Sequence, residues 1–440
     1  MPFATLACNP PPNGGGGDDD TTDPDAGVTS PDADDLDTPS GCAPGAAGVA
    51  CVIALHEEVR TSCDATRLTE LTAELQSRKG AFPLWDAGTA LFAADAELAV
   101  AGAWNGWVTN ATRTTALCNG ALFTATAAVP TGFHPYKMVA GSTWMLDAWS
   151  WSFAYDDFAG NADGKNSVLD THDSGRGHLV AVPEQVCSTA LGNCRNMAAY
   201  LPPGYDAPAN GARRYPVVFM HDGQNVFDDH DCCFGHTGWE VNVALDAEIA
   251  AGRVEETILV AVDHAGAGRN DEYGWSESVG GKQETFMTFQ IETVQPRAAS
   301  LWRLDPARLY VAGSSLGGLI SMRLALEHPT VYAGAASLSG AFWPGQDTDT
   351  ALRDRLPSIG KVPVAVYLDH GGTAQSGGDG YADSIEIRDQ LVGLGWLRAD
   401  SPSCTRGVDA VCYHHEPGAT HDELAWRDRS WRWLRFLVGR

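Results

Sequence analysis

The chain has 440 residues, 44% of them hydrophobic, and a formal net charge of −27. That length holds two or three domains and that apolar content fills a sizeable core, while no stretch approaches the roughly 20 apolar residues of a membrane-spanning helix. So acidic a surface repels nucleic acid and anionic membranes, and argues against a polyanionic substrate.

Nine aspartates and no Lys, Arg or Glu lie in residues 1–40. Residues 9–41 are Pro, Gly, Asp, Thr and Ser with almost nothing apolar, a composition that cannot bury a core, so 1–41 is expected to be a disordered acidic linker. Its aspartates lack the order of a calcium loop. Cys8 follows Thr5-Leu6-Ala7, which loosely resembles a bacterial lipoprotein cleavage box, although the segment before it is short and has no basic residue. The expectation is a longer secreted or lipid-anchored precursor, located outside the cytoplasm or at the cell surface. Eleven cysteines point the same way. Cys42 with Cys51, Cys187 with Cys194 and Cys404 with Cys412 are close enough in sequence for local disulfides.

Residues 42–80 form a cysteine-containing lead-in, with a helix over 65–78 capped by Asp64 and apolar at Leu68, Leu71 and Leu75. From 81 to 170 the texture changes to short alternating segments. Strands are expected over 98–103, 121–129 and 136–139, with turns at Asn105-Gly106, Asn119-Gly120 and Gly141-Ser142. This describes a small all-β sandwich. Its aromatics Trp104, Trp107, Phe133, Tyr136 and Trp144 serve either as core or as a sugar-stacking platform. The strings AVAGAWNGW (99–107), GFHPYKMVAGSTWMLD (132–147) and DGKNSVL (163–169) resemble an early-set, glycogen-binding-like module. That resemblance implies a following esterase or glucan-acting domain; since the sugar site is degraded in many such modules fused to esterases, a glycan partner is the minority reading.

After residue 170 strands and helices alternate. Strands are expected over 178–186, 197–201, 216–220, 257–262, 309–312, 333–339, 362–368 and 410–414, and helices over 239–251, 283–294, 316–328, 381–394 and 422–437. The early paired strands followed by strand-helix units make the pattern α/β, with a mixed, mostly parallel sheet covered on both faces and a ligand site at the carboxyl ends of its strands.

One such end reads LYVAGSSLGG (309–318). Gly313, Ser315 and Gly317 fit the G-x-S-x-G elbow, in which a serine on a tight strand-to-helix turn points its Oγ out of the sheet between two small neighbours. A serine nucleophile needs a base, an orienting acid and an oxyanion hole. His414, His415 and His421 follow it. His421 lies in a loop before the last helix, the exposed position a base requires. Asp369, Asp379 and Asp383 follow the strand over 362–368; Asp379, in a glycine-rich loop, is the preferred acid and Asp369 the alternative. The oxyanion donors are expected to be the N–H of Leu316 and, from the loop His221-Asp222-Gly223-Gln224-Asn225, the N–H of Gln224. The segment His230-Asp231-Cys232-Cys233 with His236 matches no zinc pattern and reads as disulfide or packing. No metal or other cofactor is implied.

Six ordered motifs, YLPPGYD (200–206), YPVVFMHDGQNVFD (215–228), GRNDEYGW (268–275), AGSSLGGLIS (312–321), SLSGAFW (337–343) and GATHDELAW (418–426), resemble the esterase family of α/β-hydrolases. That family holds esterase D, enterochelin esterases and the feruloyl and acetylxylan esterases. The resemblance covers nearly all of 175–440 and implies Ser315 as nucleophile and His421 as base. It also implies a site lined by His221, Asp222, Arg269, Glu272, Tyr273 and Trp343. Where the family carries Gly-Thr-x-Asp/Glu, this chain has Gly372-Thr373-Ala374-Gln375 and then an insert reaching Asp379. The expected function is hydrolysis of acyl or feruloyl esters of a polysaccharide. A ferric-siderophore esterase and a non-catalytic glycan-binding surface protein are the alternatives.

Overall fold

The computed structural model describes residues 48–156, 164–171, 174–227, 238–274, 281–342, 352–407 and 409–440. The expected acidic linker, Cys8, Cys42, the segment from His230 to His236, and Trp343 lie outside these described residues.

Two helices begin the described chain, α1 (Val49–Ser62) and α2 (Ala65–Ser77). Asp64 caps α2 as expected: its Oδ1 accepts from the N–H groups of Thr66 at 3.0 Å and Arg67 at 2.9 Å. Nine short strands follow: β1 (Leu84–Asp86), β2 (Thr89–Ala94), β3 (Ala99–Gly102), β4 (Thr115–Ala116), β5 (Phe123–Ala128), β6 (Phe133–Ala140), β7 (Thr143–Met145), β8 (Ser152–Tyr155) and β9 (Lys165–Asp170). They make two layers. One is a four-stranded sheet of order β1-β2-β5-β4. It packs against β3, β6 and β9 through Phe92, Val100, Tyr136, Met138 and Leu169. The other face of the four-stranded sheet is covered by α1 and α2 through Val52, Val59, Leu71, Leu75 and Leu91. Both faces of β2 are therefore buried, and its run Ala90–Ala94 is apolar throughout rather than alternating.

The remaining strands are β10 (His178–Ala181), β11 (Val186–Ser188), β12 (Asn193–Arg195), β13 (Met197–Leu201), β14 (Tyr215–His221), β15 (Ile258–Val262), β16 (Leu304–Ser314), β17 (Gly334–Leu338), β18 (Ala365–His370), β19 (Leu397–Asp400) and β20 (Ala410–His415). The helices are α3 (Val241–Ala250), α4 (Arg269–Tyr273), α5 (Gln283–Phe289), α6 (Gln295–Leu301), α7 (Leu316–Glu327), α8 (Leu352–Ile359), α9 (Tyr381–Gly393) and α10 (Glu423–Val438). One 14-stranded sheet runs β19-β20-β18-β17-β16-β14-β15-β13-β10-β8-β9-β6-β3, with β7 on β6. From β19 to β15 every pairing is parallel. From β15 to β3 every pairing is antiparallel. The sheet is thus mixed, parallel from β19 to β15 and antiparallel beyond, and one layer of the β module is a continuation of the second domain's sheet.

Period-two burial splits the parallel half between two cores. Val217 and Phe219 of β14 and Val311 of β16 face one side, with Met287, Leu319 and Leu356. Val218, Met220, Tyr310 and Ala312 face the other, with Leu245 of α3 and Trp433 and Leu437 of α10. The helix expected to stop at 294 continues to Leu301 through a π turn over Gln290–Val294. Pro296 lacks an N–H, but it falls in the first turn after that π segment, where a missing donor is tolerated. Cys187–Cys194 and Cys404–Cys412 are disulfides as expected. Cys51 is also disulfide-bonded. A further bridge, Cys63–Cys118, ties the end of α1 to the sandwich.

Candidate active site

β16 delivers Ser315 to the junction with α7 at φ 55°, ψ −125°, a conformation that costs a non-glycine residue of order 1–3 kcal/mol. The loop is held on both sides. Ser315 N–H donates to Leu338 O at 3.0 Å, and Ser315 O accepts from Ala341 N–H at 2.9 Å and Leu319 N–H at 3.1 Å. The flanking glycines are required by space. A Cβ on Gly313 would sit 2.6 Å from the Gly317 carbonyl carbon and oxygen, and one on Gly317 would sit 2.8 Å from Asp222 Oδ2. Leu316 opens α7, so its N–H is one of the first-turn donors that have no acceptor within the helix.

Two strands along the sheet from β16, beyond β17, β18 runs into the glycine-rich loop, which holds Asp379 at φ 44°. Asp379 Oδ1 lies 2.7 Å from His421 Nδ1. The Asp379 side chain is 2% exposed and that of His421 35% exposed, so a buried carboxylate meets a reachable imidazole. Asp379 Oδ2 accepts from Ser339 Oγ at 2.8 Å and from the Gly371 N–H. The His421 ring stands edge-on to Trp426, with centroids 5.1 Å apart. Of the other histidines near this edge, His414 pairs with Glu416 at 2.9 Å, and His415 bonds Gly372 O at 3.1 Å while stacking on buried His370.

Asp369, the alternative acid, is placed differently. It is fully buried and binds Arg429 through both oxygens, to Nε and Nη2 at 3.1 Å each, with Tyr367 Oη donating at 2.9 Å. The structure therefore brings Asp379, not Asp369, to His421. Asp383 lies in the first turn of α9.

On the other side of the elbow, β14 ends in a single 3-10 turn over Gly223–Asn225. Its first internal bond is Asn225 N–H to Asp222 O, so the Gln224 N–H precedes the ladder and is free of it. Gly223 is pressed against the β15 backbone, where a Cβ would lie 2.6 Å from Val262 N. Asp222 is buried at φ 61° and clamps Arg269 through Nε–Oδ1 at 2.6 Å and Nη2–Oδ2 at 2.8 Å. This pair borders Gly317, and Arg269 is partly exposed.

His221, Glu272 and Tyr273, expected to line a substrate site, are instead enclosed by the fold, at 1%, 1% and 0% exposure. Glu272 pairs with Arg195 at 2.9 Å and accepts from Asn193 at 2.7 Å. His221 packs against Tyr273 and Phe286. Ser321 Oγ donates to Gly317 O at 2.7 Å, so His221 Nδ1 donates to Ser321 Oγ at 2.8 Å. That leaves His221 neutral, and burial pushes its pKa down to about 4. The 269–273 segment, expected to line the site, is helical, and Glu272 and Tyr273 on it are buried. A residue not singled out in advance, Ser339, joins Asp379, Trp426 and Arg429. Its place at the end of the expected strand over 333–339, within the motif SLSGAFW (337–343), could have marked it.

A serine at a strained strand-to-helix elbow, on a parallel run covered by helices on both faces, defines an α/β-hydrolase. The family described as "Putative esterase" matches residues 188–428, more than half of the chain, and the chain belongs to that family: it is an ester hydrolase. It is 25% identical over 194 residues to the uncharacterized protein YbbA of Bacillus subtilis (strain 168), a stretch covering 41% of this chain and 71% of that protein. Solved structures similar to it include a ferulic acid esterase, at 17% identity and TM-score 0.44 over 60% of this chain and 98% of that one. Another is the enterobactin esterase FES of Shigella flexneri with enterobactin, at 14% identity and TM-score 0.45 over 82% and 97%.

Proposed function

We propose that the protein is a serine esterase working through an acyl-enzyme. The observation that carries this reading is the coincidence of Ser315 in a strained elbow with the 2.7 Å Asp379–His421 pair in the loops that follow β18 and β20 of the same parallel run. In this mechanism His421 removes the Ser315 proton as Oγ attacks the ester carbonyl. Asp379 accepts a hydrogen bond from Nδ1–H without taking the proton, fixing the tautomer that leaves Nε2 basic and stabilising the imidazolium that forms. The N–H groups of Leu316 and Gln224 take the developing oxyanion. The C–O bond then breaks, His421 protonates the leaving alcohol, and the same base activates the water that releases the acid. Ser315→Ala is expected to abolish hydrolysis of p-nitrophenyl acetate, by about 10⁴-fold or more; undiminished turnover would reject the mechanism.

The substrate reading is an acyl or feruloyl ester on a polysaccharide. Of the five module aromatics, Trp107 and Trp144 support it: they are 38% and 44% exposed and their rings lie 6.2 Å apart. Tyr136 is buried and Trp104 stacks on Phe92. Retention on insoluble xylan or starch, lost in Trp107→Ala/Trp144→Ala, tests the glycan contact. Turnover of methyl ferulate, acetylated xylan and ferric enterobactin side by side separates the polysaccharide reading from the siderophore one. The disulfides of the described residues favour an oxidising, extracytoplasmic location.

A further inference from the structure

We infer that Ser339 is a positioning residue that holds the Asp379–His421 pair in its working geometry; this rests on the serine-esterase reading. Ser339 follows β17, is fully buried, and sits at φ 49°. Its backbone N–H is anchored on Asp369 O at 2.9 Å. A hydroxyl has one proton to donate and two lone pairs to receive. Both lone pairs of Ser339 are taken, by Trp426 Nε1–H at 3.0 Å and Arg429 Nη2–H at 2.9 Å. Arg429 and the indole have no acceptor capacity, so the Ser339 proton has one direction left, Asp379 Oδ2 at 2.8 Å.

The consequence reaches both members of the pair. On the carboxylate side, Ser339 and the Gly371 N–H together occupy Oδ2, which fixes the carboxylate plane and leaves Oδ1 for His421 Nδ1. On the imidazole side, the same oxygen anchors the indole of Trp426, whose ring is the edge-on wall of His421. One atom therefore sets the rotamer of the acid and the wall of the base. The charged groups facing it are Asp369 on β18, Asp379 in the glycine-rich loop and Arg429 on α10, which also lies 3.9 Å from Asp379 Oδ2. Arg429 already donates from Nε and Nη2 to Asp369.

Removing the hydroxyl takes one hydrogen-bond donor from the Asp379 carboxylate. The carboxylate then holds more of its charge on Oδ1 and stabilises protonated His421 more strongly. The acidic limb of kcat/KM is expected to move to higher pH, while loosened geometry lowers kcat. The test is Ser339→Ala and Ser339→Cys beside wild type, with p-nitrophenyl acetate as substrate and the burst amplitude counting competent sites. Rates are then expressed per competent site, so a partly unfolded sample does not mimic the effect. The cysteine keeps the volume and offers only a weak donor. Both variants are expected to lose about 10- to 100-fold in kcat per site, with KM within about twofold and the acidic limb displaced upward. A wild-type rate per site, or an unmoved limb, in either variant overturns the role of Ser339. Ser315→Ala, run alongside, separates the two readings: if it still turns over, the serine mechanism itself falls, whereas a dead Ser315→Ala with wild-type-like Ser339 variants removes only the positioning role.

Discussion

Asp369 lies near the end of β18 and Asp379 in the loop ten residues on, and at residue scale the proposed mechanism gives the first to folding and the second to chemistry. Asp379→Asn presents an N–H to His421 Nδ1 and favours the wrong tautomer, so kcat should fall about 10³- to 10⁴-fold with little change in melting temperature. Asp369→Asn takes from buried Arg429 the carboxylate it binds through two hydrogen bonds, leaving only Asp379 at 3.9 Å, so stability should fall by up to about 3–5 kcal/mol, read by denaturant unfolding. His221 gives a pH signature. Its folded pKa, about 4, lies below the ordinary 6.5, so its contribution is present above pH 6.5 and is lost as pH falls toward 4, by about 3 kcal/mol in all. His221→Asn should flatten the loss of stability over that window relative to wild type. The strained elbow at Ser315 could be read from local spacing alone. The acid could not be separated from its neighbour, because what distinguishes the two is Arg429, 60 residues beyond Asp369 in the chain. The same holds for Ser339, whose partners come from the glycine-rich loop and the last helix.

At the scale of elements, what was legible was local. The Asp64 cap, the strand over 197–201 and the short-range cysteine pairs each depend on a few adjacent residues, and they were read where they occur. Features set by contacts distant in sequence were not. α8 was missed because Pro357 inside it reads as a breaker, and α1 because its cysteine obscured an apolar face of Val52, Leu55 and Val59. The Cys63–Cys118 bridge closes 55 residues and carries no spacing signal. By loop-closure entropy a loop of that length contributes about 4 kcal/mol, against about 2 for a seven-residue loop. Cys63→Ser/Cys118→Ser should therefore lower the melting temperature of the lead-in helices and sandwich well beyond any effect of Cys187→Ser/Cys194→Ser, as followed by hydrogen exchange in α1 and α2.

For the molecule as a whole, the division expected near residue 170 falls inside one sheet. β10 pairs with β8 on one side and β13 on the other, so a chain begun at residue 171 would bare the β8-facing edge of β10 to solvent. Such an edge is a template for pairing with another chain. That shortened protein should elute as soluble aggregate in size-exclusion chromatography, while the full chain does not.

The shared sheet also settles what kind of neighbour the sandwich can be. A binding module on a flexible tether raises the local concentration of substrate by an amount set by linker length, and samples many distances as it does so. Here hydrogen-bonded strands replace the tether. A polymer resting on Trp107 and Trp144 would meet the elbow at a single reach and a single angle, so the protein would act as a ruler along its substrate. The spacing of the esters it removes would then be a property of the fold.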